Sequence, residues 1–101
     1  MANKQAAWLD ETIIEAVDTW WHKQFPLNEA NYINANRTVT VEDLYHSYYD
    51  WATQWERRAY RVNLDQFAKC LMAARIMDIG GIWRQAAEWN PTADQIRRVT
   101  A

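Results

Sequence analysis

The chain has 101 residues, half of them hydrophobic, and a formal net charge of −2. That length supports one domain, residues 1–101, around a single core, and no apolar run approaches the roughly 20 residues that span a bilayer. Cys70 is the one cysteine, which excludes an intrachain disulfide and suits a reducing compartment.

The opening Met1-Ala2-Asn3-Lys4-Gln5 has no signal-peptide pattern and leads straight into a mixed helix, so a soluble cytoplasmic protein is expected. That N-terminal helix is predicted over residues 7–24, with Leu9, Ile13, Ala16, Val17 and Trp20 as its apolar stripe. Asp10, Glu11, Glu15 and Asp18 load its first half, where the positive end of the helix dipole favours acids. Pro26 stops it. Trp20 and Trp21 are adjacent and point in different directions, so at least one of the seven tryptophans is expected at the surface or under a loop.

Residues 26–39 form the least regular stretch. Asn28, Asn31, Asn34 and Asn36 favour turns there, because the amide side chain competes for backbone hydrogen bonds. Tyr32 and Ile33 are the expected anchors onto the core, and Arg37-Thr38-Val39 could form a very short strand.

Residues 40–77 carry the strongest pattern, two amphipathic helices joined by the basic link Arg57-Arg58-Ala59-Tyr60-Arg61. Thr40 caps the first, with Asp43 as a weaker form of the capping-box acid. Val41, Leu44, Tyr45, Tyr48, Trp51, Ala52 and Trp55 recur near a 3.6-residue period, which carries this helix to about Trp55. Asn63 with Gln66 repeats the capping arrangement. The second helix is predicted over 63–77, with Leu64, Phe67, Ala68, Leu71 and Ala74 on one face and Gly80-Gly81 ending the helical region. Two helices meeting across a short link are the core of a helix-turn-helix.

The tail, residues 82–100, reads two ways around the turn signal Asn90-Pro91-Thr92-Ala93-Asp94. As strands, 82–89 and 95–100 would form a C-terminal β-hairpin, a reading that Ile96 to Thr100 favours. As helices, Trp83, Ala86 and Ala87 would make a stripe and Thr92 would cap a short turn, which Ala86-Ala87-Glu88 favours. The hairpin is the preferred form.

The net charge hides an asymmetry. Residues 1–56 hold three Lys and Arg against nine acids, a net of −6, and residues 57–101 hold eight against four, a net of +4. Seven of those eight cations are Arg, the residue suited to bidentate phosphate contact. The split points either to an anionic partner for the second half or to an acidic and a basic helix facing one another within the fold.

Enzymatic chemistry has little support. One Ser, one Cys and two His leave few nucleophile–base pairs, and His46 and Ser47, as helix neighbours, point about 100° apart. Gly80-Gly81 matches no phosphate loop. His22, His46 and Cys70 are isolated, so no metal site and no cofactor is expected.

The segment Val39-Thr40-Val41-Glu42-Asp43-Leu44-Tyr45-His46-Ser47-Tyr48-Tyr49-Asp50-Trp51 resembles the winged-helix domain that closes the D5-type primase-helicases of phages and plasmids. In that family a short strand leads into a helix bearing Leu-Tyr, then Tyr, then Trp at these spacings. A polar turn follows, then a second helix with Phe and Leu four apart, which Phe67 and Leu71 match. The resemblance covers about 38 residues, 39–76. It implies a recognition helix at 63–77 and a wing within 80–100. Two departures stand out: the usual glycine is missing from the inter-helix turn, and the recognition helix has only Lys69 and Arg75 as cations, opposed by Asp65.

The expected architecture is therefore a mostly α, winged-helix or helix-turn-helix domain with an additional N-terminal helix. The expected function is non-enzymatic DNA binding in phage or plasmid replication, with helix 63–77 in the major groove. Arg57, Arg58 and Arg61 would hold phosphates, Gln66, Lys69 and Ala73 would face the bases, and Arg84, Arg97 and Arg98 would extend the footprint. The alternative is a protein-interaction module or inhibitor of a host protein, using the row Glu11, Glu15, Asp18 and exposed tryptophans.

Overall fold

The structure is a computed structural model that describes residues 9–25, 29–30 and 39–99. Helix α1 (Glu11–Gln24) starts where Asp10 Oδ1 accepts from the Thr12 N–H at 2.8 Å. It therefore begins later than position 7; residues 7 and 8, like Pro26, lie outside the described residues. Its buried side chains are Ile13, Ala16, Val17, Trp20 and Trp21. That stripe is wide enough to take neighbours 100° apart, so both members of the Trp pair are interior and neither is the tryptophan expected at the surface or under a loop. Trp20 is the hub. Its ring meets Phe25, Tyr48 and Phe67 edge-on at 5.8, 5.7 and 5.7 Å, and its indole N–H donates to Ser47 Oγ at 3.2 Å. Each such aromatic pair adds about 0.5–1.5 kcal/mol beyond its buried area.

Strand β1 (Glu29–Ala30) follows α1. Of the expected strand at 37–39, residues 37 and 38 lie outside the described residues and Val39 is not in a strand; Tyr32, Ile33 and the Asn run at 31–36 are likewise outside. Helix α2 (Val41–Thr53) opens with a complete capping box: Asp43 N–H donates to Thr40 Oγ1 at 3.1 Å, and Thr40 N–H to Asp43 Oδ2 at 2.9 Å. A 3-10 helix (Trp55–Tyr60) replaces the final turn expected of it. Helix α3 (Leu64–Ala73) starts as the sequence predicts, with Asn63 Oδ1 accepting from Gln66 N–H at 2.8 Å.

The end of α3 departs from the expected 77. Ala74 N–H closes onto Cys70 O and Arg75 takes a left-handed φ of 67°, turning the chain out of the helix. Strands β2 (Ile76–Ile79) and β3 (Ile82–Gln85) then form an antiparallel hairpin pairing Ile76 with Gln85 and Ile79 with Ile82. Gly80 and Gly81, at φ 62° and 91°, make its two-residue turn, the backbone that primed hairpin turns demand. Asp78 Oδ1 accepts from Gly81 N–H at 2.8 Å. The hairpin thus lies at 76–85 rather than 82–100. Residues expected as its second strand form helix α4 (Ala93–Arg98), capped by Thr92 and Gln95 in a second full capping box and anchored by buried Pro91 and Ile96.

Strand β1 pairs antiparallel with β3, so the sheet order is β1-β3-β2. The fold is mostly helical with this small antiparallel sheet. Helix α1 packs on both α2 and α3, and α4 packs on α3. Trp83 Nε1 donates to Val39 O at 3.0 Å, tying the hairpin to the entrance of α2. Among the described residues, no helix is long and apolar enough to cross a membrane.

Candidate nucleic-acid interface

The basic link sits on α2 through two tyrosines. Tyr48 OH donates to Tyr60 O at 2.6 Å and Tyr45 OH to Val62 O at 2.7 Å. Burial pushes both phenols above their ordinary range, with Cys70 and Tyr60 adding to the effect at Tyr48 and Tyr49 at Tyr45, so both stay protonated donors. The link is consequently a braced segment with a defined side-chain direction at each arginine.

Those directions differ. Arg57 folds back: its guanidinium lies 4.5 Å over the Trp51 ring, Nε donates to Trp51 O at 2.9 Å, and Nη2 donates to Gln54 Oε1 at 2.5 Å. It lines a cleft of about 320 Å³ with Thr12, Glu15, Thr19 and Tyr60. Arg57 therefore does not join an outward patch with its neighbours. Arg58 and Arg61 are the exposed arginines of the link. Arg61 Nε reaches Arg58 O at 3.3 Å, and its guanidinium stands 6.0 Å over the ring of Tyr49.

On α3, Gln66, Lys69 and Ala73, expected on the exposed face, are all half-buried, and Ala73 packs against the core. Lys69 is only 17% exposed and its Nζ is held by Asp65 Oδ2 at 2.8 Å. Arg84 is exposed on β3, where its Cα partners are Met77 on β2 and Glu29 on β1. Arg97 and Arg98 are carried by α4 rather than by a wing, and both approach Asp94, at 3.5 and 3.9 Å. The eight expected residues are thus spread over the link, α3, β3 and α4.

Tyr49 is the residue that sequence reasoning missed. Its ring is 5.8 Å from Tyr45, and it is 37% exposed, one of three large hydrophobic side chains at the surface among the described residues. Its absence from the apolar stripe of α2 was the available signal, because an aromatic off the buried face of an amphipathic helix must meet solvent.

The acidic row on α1 is shorter than expected. Glu11 and Glu15 are exposed, but Asp18 Oδ1 accepts from Gln85 Nε2 at 2.6 Å and its Oδ2 lies 3.6 Å from His22 Nδ1. Among the described residues, no group of three or more His, Cys, Asp and Glu side chains could hold a metal ion. Burial, with the charge of Asp10 adding to it, pushes the Cys70 thiol up to about 12, which leaves it un-ionised and a poor nucleophile near neutrality. No protein-family model, curated protein or solved structure matches the chain.

Proposed function

We propose that this chain is a winged-helix, non-enzymatic DNA-binding protein of phage or plasmid type. The observation that carries the reading is connectivity: helix, strand, two helices across a braced link, then a hairpin whose second strand pairs back to the first strand. The two helices across a link followed by a hairpin are the parts the resemblance of residues 39–76 implies, although α1 is additional and the hairpin begins before the implied wing. In this reading α3 is the helix presented to DNA and β2–β3 is the wing.

Arg58 and Arg61 lie just ahead of the α3 N-terminus and Arg84 on the wing, all exposed. In this reading they contact phosphates, which position a protein without reading sequence. Gln66 and Lys69 are the only expected base-facing groups able to hydrogen-bond, and Lys69 is already engaged by Asp65. Sequence preference is accordingly weak. Titration of labelled duplex and single-stranded DNA at about 50 and 200 mM salt tests the proposal. Binding that weakens steeply with salt is the expected result; no binding to either form at the lower salt overturns it.

A further inference from the structure

We infer that the DNA form this site prefers is unpaired, with a base stacked on Tyr49 and its phosphate beside Arg61. The inference rests on the DNA-binding reading above and names the strand state. Its first support is what α3 lacks. A helix that reads a major groove presents freely directed amides or cations, whereas α3 offers a half-buried Gln66 and a Lys69 whose ammonium is fixed on Asp65 at 2.8 Å.

Its second support is what stands beside the link. Tyr49 is 37% exposed, and the Arg61 guanidinium lies 6.0 Å over its ring. The Tyr45 ring lies beside it at 5.8 Å, tilted by 60°, and Tyr45 is itself fixed through its hydroxyl to Val62 O at 2.7 Å. The same bond thus ties Tyr45, the ring neighbour of Tyr49, to the segment carrying Arg61. An aromatic face with an adjacent cation is the chemistry of single-strand binding, where each base brings a π-face and each phosphate a charge. In a duplex both faces of an internal base are covered by neighbouring pairs, so an exposed tyrosine gains nothing there.

The test measures fluorescence anisotropy of the full chain with a labelled oligo-dT of about 15 nucleotides and with a duplex of the same length. The expected result is single-strand binding at least about tenfold tighter than duplex binding. Tyr49→Ala should weaken the single-strand complex roughly 5- to 100-fold, with its salt slope and the duplex affinity unchanged. Tyr49→Phe should retain wild-type affinity, and Arg61→Ala should lower the single-strand salt slope by about 0.7. Equal or tighter duplex binding by the wild type, or a single-strand affinity indifferent to Tyr49→Ala, overturns the inference and leaves DNA binding standing. Absence of binding to both probes removes the inference together with the reading beneath it. The wild-type comparison does not depend on any variant folding.

Discussion

Gln85 and Asp18, 67 positions apart, meet through a 2.6 Å hydrogen bond from the amide to the carboxylate. The same amide nitrogen donates to Ala74 O at 2.9 Å, at the point where α3 ends. One side chain on β3 therefore locks the hairpin to α1 and to the close of α3. Removing it should loosen the wing without emptying the core. Asp18 is partly exposed, so solvent screening limits the bond: Gln85→Ala and Asp18→Ala should each cost about 1 kcal/mol in urea unfolding. The double variant should cost less than the two combined, since both delete one contact. Full additivity would show that the bond contributes nothing.

Trp20 should be the most sensitive position in the chain. It is fully buried and meets rings from two other helices. Trp20→Ala should lose about 3–5 kcal/mol through cavity formation. Trp20→Phe should lose less, yet still measurably, since the bond to Ser47 goes. A loss below about 1 kcal/mol for Trp20→Ala by chemical denaturation would contradict this core.

The hairpin turn isolates backbone strain from packing. A Cβ added at Gly80 would meet nothing within 4 Å, yet φ is 62°. Gly80→Val should therefore destabilise by about 1–2 kcal/mol from conformation alone, and Gly80→Asn by much less, because Asn tolerates the left-handed region. Equal melting temperatures for these two variants would rule out the primed turn.

Alkaline pH should unfold the protein through Cys70 first. Its folded value is raised to about 12 by burial and then by Asp10, so the folded state holds the proton after the unfolded chain has released it. The stabilisation is complete below pH about 9 and falls as pH rises from there towards 12, by about 2 kcal/mol at pH about 10.5. Cys70→Ala should flatten that part of the profile in urea titrations across this range. Tyr48, whose phenol burial also pushes up, adds a further loss above pH about 10 that the variant retains. A profile identical in wild type and Cys70→Ala would refute the assignment.

The starts of α2 and α3 were legible because capping is local: Thr40 with Asp43 and Asn63 with Gln66 each close within one turn. Helix ends were not, because distant partners decide them. The apolar spacing through Ala74 suggests that α3 runs on, but Ile76 to Ile79 gain a partner strand once Gly80-Gly81 turns the chain. Two glycines between isoleucine-rich runs are a hairpin signal, and in hindsight they outweigh the helical period. In the tail, the strand propensity of Ile96 and Val99 lost to the Thr92–Gln95 capping box and to the burial of Ile96 on the helical side. The three link arginines look equivalent in sequence, and only folding separates them, since Trp51 draws Arg57 inward while Arg58 and Arg61 stay exposed.

That separation gives the most direct test of the proposed DNA interface: the salt slope of DNA affinity in wild type, in Arg57→Ala, and in the double variant Arg58→Ala/Arg61→Ala. The double variant should lose about 0.9 of slope per arginine removed on duplex DNA and about 0.7 on single strands. Arg57→Ala should keep the wild-type slope and instead lower the unfolding midpoint, because its contacts are with Trp51 and Gln54. A slope that falls with Arg57→Ala and not with the double variant, or one unchanged in both, would contradict a phosphate grip by Arg58 and Arg61.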